Sequence, residues 1–167
     1  ASLTHVAAAM FLVDNVRTHG HLAAALDPLG SSPRGDPALE PAAVGLSAEA
    51  LAEVPADVLR VFVPGNTLAE VLPNLRATYC GTLAYEIEHV SSHEQRSWLR
   101  QTIESGKHRV RLDPEAKKAL LKRLTEVEAL ERFLHKAYLG QKRFSIEGVD
   151  LMVPMLDLAI EMAAAGG

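Results

Sequence analysis

The sequence has few of the features that mark a secreted, membrane-spanning or nucleic-acid-binding protein. Among its 167 residues there is one cysteine, Cys80, so no disulfide can form within the chain. A single cysteine is typical of a protein from a reducing compartment. The apolar run over residues 6–13 is too short to span a bilayer and has no basic leader. We therefore expect a cytoplasmic protein.

The chain also has little net charge and few aromatic side chains. The formal net charge of -4 gives no electrostatic reason to expect DNA or RNA as a partner. Aromatic residues make up 5% of the chain and hydrophobic residues 48%. The core must therefore be built mainly from Ala, Leu, Val and Met, of which Ala, Leu and Met favour helices.

Motifs of common catalytic sites are missing as well. The sequence contains no glycine-rich phosphate loop and no nucleophile elbow. Cys80 lies at the end of a predicted helix, where the dipole raises a thiol pKa, so we interpret it as a small buried hydrophobic residue. His89 and His93 are four residues apart, but a predicted helix cap lies between them, so surface or capping roles are favoured over metal binding.

Capping residues and apolar spacing predict six helices. The predicted helices cover residues 3–19, a short stretch after Ser47, residues 67–79, a stretch after Ser91, residues 113–138 and residues 151–165. Val6, Met10, Val13 and Arg17 are expected on the inner stripe of the first helix. The sequence thus predicts a mainly helical protein.

Three segments are predicted to depart from helix. Residues 59–63 favour a brief strand, and residues 81–90 alternate apolar and polar side chains as a half-buried strand does. Residues 26–45 are rich in Pro, Gly, Ser and Asp and are predicted to form an extended surface loop. The expected fold class is mainly α: an irregular helical domain with one or two short strands and a long Pro/Gly-rich loop, forming a single segment over 1–167.

The most unusual local stretch runs from Gly140 to Gly148, between two predicted helices. It contains the adjacent cations Lys142 and Arg143, followed by Phe144. One interpretation is a helix-to-helix connector with its cations at a helix C-terminus. The other is a loop that aims cations or an aromatic ring into a pocket for an anionic ligand. The residues alone favour the connector.

Four stretches, in order along the chain, resemble one enzyme family. They are residues 19–29 with their GH and LDPL pattern, RATYCG over 76–81 followed by Glu86 and His89, EQRSWL over 94–99, and FLHKAYLGQKRFSIEG over 133–148. These stretches resemble the decarboxylating component of 2-oxoglutarate dehydrogenase, in the region before its cofactor domain. Val44 departs from the family, which usually has an aromatic residue there. Several ordered blocks over nearly the whole chain are more specific than one short motif.

The resemblance implies a homodimeric enzyme of the tricarboxylic acid cycle. Such an enzyme decarboxylates 2-oxoglutarate on thiamine diphosphate with magnesium, then passes a succinyl group to the lipoyl arm of an acyltransferase partner within a multienzyme complex. In that family the substrate-handling histidines and the motif that holds magnesium and diphosphate lie further along the polypeptide. We therefore expect a structural segment with no complete catalytic set, cofactor site or metal site.

The resemblance also suggests which side chains approach the substrate. The candidates for the substrate pocket are Arg143, Phe144, Ser145 and His135. Because the implied substrate is a dianion, an arginine close to it could pair with one of its carboxylates. The segment leaves 2-oxoglutarate and 2-oxoadipate as alternative substrates.

Two other functions are compatible with the sequence. The first is a stand-alone helical module that docks partner subunits. The second is a small metal-dependent hydrolase that uses His89 and His93 as ligands.

Overall fold

The structure, a computed structural model, describes residues 1–143 and 145–166. The chain divides into two compact units, Ala1–Arg109 and Val110–Gly167. The first unit contains α1 (Leu3–His19), α2 (Ala48–Glu53), α3 (Leu68–Tyr79) and α4 (His93–Glu104); the second contains α5 (Pro114–Ala137) and α6 (Met152–Gly166). These are the six predicted helices, and the mainly helical fold is confirmed. The single segment over 1–167 stays a prediction.

The core of the first unit lies between α1, α3 and the short turns that connect the helices. Its fully buried side chains include Leu12, Val16, Leu68, Leu75 and Tyr79. The inner face of α3 is formed by Leu68, Val71 and Leu75, which are all at 0% exposure.

The predicted stripe of α1 is only partly correct. Val13 and Arg17 are buried, but Met10 is 51% exposed and Leu12 is fully buried in its place. The start of α1 is apolar on nearly every side, so helical spacing does not single out one face. The contacts with α3 decide which face is covered.

Both predicted strands are wrong for the described residues, which contain one isolated bridge, between Pro55 and Thr67. Residues 59–63 begin at the end of a 3-10 turn and continue through Arg60, whose φ of 51° is incompatible with an extended strand. Residues 81–90 are irregular and end in a turn, where the Val90 amide donates to the Ile87 carbonyl at 3.0 Å. A strand needs a ladder with a neighbouring backbone, and among the described residues neither segment forms one, although the Gly81 carbonyl accepts the Ala25 amide at 2.8 Å.

The predicted loop over 26–45 has more local order than its composition suggests. Two 3-10 turns, Pro37–Leu39 and Pro41–Val44, occupy its second half. In the first half, the Asp27 carboxylate accepts hydrogen bonds from the amides of Leu29, at 2.8 Å, and Ser31, at 3.2 Å. Turn residues and a carboxylate therefore fix this segment without helix or sheet.

In the second unit, α5 and α6 are joined by the connector over residues 138–151. The predicted start of α5 is confirmed: Asp113 caps the helix by accepting from the Ala116 amide at 2.7 Å, and Pro114 is its first residue. Val127, at 8% exposure, is the one buried hydrophobic side chain among the unit's described residues. In the part of the chain described, none of the helices is both long and apolar enough to cross a membrane.

Candidate functional site

The connector after α5 carries the predicted site residues, and its path begins with a reversal of the chain. Tyr138 leaves the helical conformation with φ of -124° and ψ of 59°. Gly140 follows with φ of 83°, in the left-handed region that glycine enters without steric cost. The connector can therefore turn back immediately after the helix ends.

Arg143 lies at the C-terminal end of α5 and is bonded to its carbonyl groups. Its guanidinium donates to the carbonyl of Leu134, to that of Tyr138 at 2.7 Å and to that of His135 at 3.3 Å. The last carbonyls of a helix have no partner within the helix, and the dipole makes this end negative. For Arg143, the prediction of a cation at a helix C-terminus is confirmed.

A second attachment lies on the other side of Ser145. The Ile146 amide donates to the Glu131 carboxylate at 3.3 Å, and Glu131 is on α5. Ser145 itself accepts a hydrogen bond from the Glu147 amide at 3.0 Å. The described part of the connector is therefore bonded to α5 on both sides of Ser145.

A cavity of about 520 Å³ lies between α5, the connector and the start of α6. Three of the four predicted pocket residues line it: His135, Arg143 and Ser145. The fourth, Phe144, is outside the described residues. Much of the remaining wall is apolar and includes Leu130 and Val153.

An ion pair closes one side of this cavity and joins the two helices. Arg123, which lines the cavity, donates from α5 to both carboxylate oxygens of Asp157 on α6, at 2.6 and 3.3 Å. The hydrogen bond from Arg123 holds the pKa of the Asp157 carboxyl below its ordinary value. The pair links α5 to α6 through two half-exposed side chains.

The first unit contains a buried polar cluster that sequence reasoning missed. Arg17 donates to both oxygens of Glu104, at 2.7 and 3.0 Å, and the Tyr79 hydroxyl donates to the same carboxylate at 3.0 Å. The Phe62 amide provides another donor at 2.9 Å. Burial, together with the neighbouring Glu104, raises the pKa of Tyr79. Because every partner is satisfied within the protein, we assign this cluster a structural role.

Cys80 is a free, half-buried thiol at the end of α3. Burial raises its pKa, and Glu40 adds to this effect while Arg76 opposes it. The predicted direction is confirmed, and the thiol lacks the lowered pKa of a reactive nucleophile.

No group of three or more His, Cys, Asp or Glu side chains within residues 1–143 and 145–166 is arranged to hold a metal ion. A catalytic zinc site normally has three protein ligands. His89 and His93 therefore have no third ligand among the described residues, and the hydrolase hypothesis has no structural support there.

In the second unit, α5 and α6 thus form a helical scaffold that holds a short loop beside a cavity. No family model matches the chain. The chain is 40% identical over 164 residues, 97% of its length, to the 2-oxoglutarate dehydrogenase E1 component of Bacillus velezensis. It is 42% and 41% identical over 158 residues, 93% of its length, to the E1 components of Bacillus cereus and Bacillus mycoides.

The similarity extends over nearly the whole of this chain but over a small part of each relative. The chain spans 16–17% of the length of these E1 components. The resemblance carried by the four sequence blocks is therefore confirmed: the chain is similar to one segment of 2-oxoglutarate dehydrogenase E1 components.

Proposed function

We propose that this chain is a structural segment of a 2-oxoglutarate dehydrogenase E1 component. The complete enzyme decarboxylates 2-oxoglutarate on thiamine diphosphate and transfers the succinyl group to the lipoyl group of an acyltransferase partner. The observation that carries the proposal is the 40–42% identity over 93–97% of the chain. Activity belongs to the full-length, homodimeric enzyme in the cytoplasm, and this segment alone is inactive.

The exposed apolar surface of α6 supports the proposal that this segment packs inside a larger protein. Met155, Ile160 and Met162 are each 67% exposed, and they share the helix with few charged residues. A helix that is apolar on nearly every side is normally enclosed by other protein. In the proposed enzyme, further polypeptide of the E1 component covers α6.

The connector contributes to the wall of the substrate pocket in this proposal. His135, Arg143 and Ser145 line one cavity, and Phe144 lies between two of them in sequence. Thiamine diphosphate and magnesium are bound by other parts of the full-length chain. This segment positions the wall and supplies no cofactor ligand.

Substitution on α6 tests the proposal in the full-length E1 component. We expect Leu156→Lys with Ile160→Lys to lower both the melting temperature and the rate of 2-oxoglutarate decarboxylation, because each lysine would replace a side chain covered by other protein. The same pair in the 167-residue chain should change its melting temperature little, because both side chains are more than half exposed there.

Gln101→Lys on α4 is the control, because Gln101 is an exposed polar side chain. Unchanged stability and activity of the full-length α6 variant would contradict the enclosure of α6. Decarboxylation by the 167-residue chain alone would contradict a purely structural segment.

The alternative is a stand-alone helical module that docks partner subunits, which the same exposed apolar side chains also favour. Mixing the 167-residue chain with the isolated acyltransferase component separates the two proposals. Tight binding without the rest of E1 supports the module, and no binding supports the structural segment.

A further inference from the structure

We infer that Arg143 and Glu131 are positioning residues, which fasten the connector to α5 on both sides of Ser145, and that Arg143 is not a ligand of the substrate's distal carboxylate. This inference rests on the proposed function, in which the connector forms part of the substrate pocket. It assigns the arginine a different role from the one that its charge alone suggests.

The Arg143 guanidinium is held at the end of α5 by hydrogen bonds to backbone carbonyls. It donates to the carbonyl groups of Leu134 and His135 in the last turn of α5 and to that of Tyr138, the residue that follows the helix. These are charge-assisted bonds at the negative end of the helix dipole, and the carbonyls of Leu134 and Tyr138 also accept the amides of Tyr138, at 3.2 Å, and Gln141, at 3.4 Å. If Arg143 turned toward a substrate, it would leave the carbonyls that it now bonds.

Glu131 provides a second attachment of the connector to α5. Its carboxylate accepts the Ile146 amide at 3.3 Å, one residue after Ser145, whereas Arg143 is bonded two residues before it. Glu131 is not paired with a cation in the described ion pairs, so its oxygen remains available to this amide. Bonds from Arg143 and to Glu131 thus attach one short irregular segment to α5 on both sides of Ser145.

These attachments determine the position of Ser145 and of the cavity wall, and they do not themselves recognise a charge on the substrate. A group that meets a reacting substrate must be held to within a fraction of an ångström, and irregular backbone depends on its anchors for this precision. Loss of either anchor should shift Ser145 and the cavity wall for every 2-oxo acid. Loss of a carboxylate ligand would instead penalise a dicarboxylate selectively.

Kinetics of the full-length E1 component with thiamine diphosphate and magnesium distinguish these roles. The variants are Arg143→Gln, Arg143→Lys, Glu131→Ala and Glu131→Gln, and the substrates are 2-oxoglutarate and the monocarboxylate 2-oxobutanoate. We expect Arg143→Gln and Glu131→Ala each to lower kcat/KM by about tenfold to a hundredfold, by the same factor for both substrates.

The conservative variants and the double variant provide further expected results. Glu131→Gln should restore much of the activity because its amide oxygen still accepts from Ile146, and Arg143→Lys should restore only part because an ammonium lacks the planar fork. Arg143→Gln with Glu131→Ala should cost less than the product of the single effects, because both loosen the same segment. Arg132→Gln is the control: Arg132 pairs with Glu128 at 2.7 Å and is 75% exposed.

A much larger loss for 2-oxoglutarate than for 2-oxobutanoate in Arg143→Gln, with Glu131→Ala at the wild-type level, would overturn the inference. Hydrogen exchange of the 139–147 amides in the 167-residue chain separates the remaining outcomes. Unchanged exchange in both anchor variants would overturn the fastening of the connector. Faster exchange with unchanged kinetics would retain the fastening but refute the proposed pocket wall.

Discussion

At the scale of single residues, Glu104 is the charge around which the first unit is organised. Its side chain has 0% exposure, and its partners Arg17, Tyr79 and Phe62 come from widely separated parts of the sequence. Arg17 also donates to the Arg60 carbonyl at 3.0 Å. One carboxylate therefore joins α1, α3, α4 and the segment that replaces the predicted first strand.

Removal of one partner should be costly because the other charge remains buried. We expect Arg17→Met to lower the free energy of unfolding by about 3–5 kcal/mol. Tyr79→Phe should lower it by about 1–2 kcal/mol, because one hydrogen bond to Glu104 is lost. Urea denaturation of the 167-residue chain measures both values. Arg34→Met, at an exposed position, is the control, and an Arg17→Met protein as stable as the control would refute the role of the pair.

The thiol of Cys80 allows a prediction about pH. Burial raises its pKa in the folded chain, so folding favours the protonated thiol. The contribution of this group to stability is complete below the pKa of the unfolded chain and is lost as pH rises through the higher folded value. Iodoacetamide should therefore react with the folded chain at a higher pH midpoint than with the urea-unfolded chain. Equal midpoints would show that the thiol is not shielded.

At the scale of elements, side-chain caps differ in ways that the sequence shows only in part. Ser92 caps α4 by accepting from the Gln95 amide at 3.3 Å, one residue later than predicted. Thr67 precedes α3 but makes no side-chain cap bond. The Glu70 carboxylate instead accepts from the amide of Asn66, the residue before the cap, at 2.8 Å, so the Thr67–Glu70 spacing does not form the reciprocal bonds of a capping box.

Alanine substitutions should show how much each cap contributes to the free energy of unfolding. We expect Ser92→Ala to lower the free energy of unfolding by about 1 kcal/mol, the usual value of an N-cap hydroxyl. Thr67→Ala should cost less, because no cap bond is lost, and the loss should appear in Glu70→Ala instead. Urea unfolding of the three variants measures the order. A larger loss for Thr67→Ala than for Ser92→Ala would contradict it.

Residues 81–90 show how an alternating pattern can arise without a strand. Tyr85 packs edge-on against Tyr79, with ring centroids 6.1 Å apart, and hydrogen bonds to His108 at 2.6 Å. Ile87 also packs against the core as a partly buried side chain. Two of the alternating apolar side chains therefore contact the core, whereas Leu83 is 56% exposed. A strand would also need a ladder with a neighbouring backbone, which the described residues do not form here.

At the scale of the whole molecule, the two units differ in how completely they bury their apolar residues. The first has a continuous core that extends from Ala9 to Ile103, whereas α6 has no buried residue. Since the chain spans 16–17% of the length of its relatives, bare helices of this kind suit a segment that packs against further polypeptide. The paired α6 substitutions proposed above test this at the level of the complete enzyme.

The connector could be located from the sequence but its bonding could not, and its place in a substrate pocket stays a prediction. The stretch over 140–148, within the connector, was identified by its glycines and adjacent cations, and His135, Arg143 and Ser145 do line one cavity. Glu131 was missed because it is one of several glutamates on α5 and nothing local distinguishes it. Its role depends on where the returning chain places the Ile146 amide.

The sequence alone determined the six helices and the resemblance to one enzyme family, because caps, prolines and apolar spacing act over a few residues and ordered motifs need no coordinates. Tertiary structure decided which face of α1 is buried, that residues 59–63 and 81–90 lack strand partners, and that Arg17 meets Glu104 across 87 positions of sequence. These depend on contacts between distant segments. Local pattern gives no information on which distant group will be present to satisfy a buried charge or a free backbone edge.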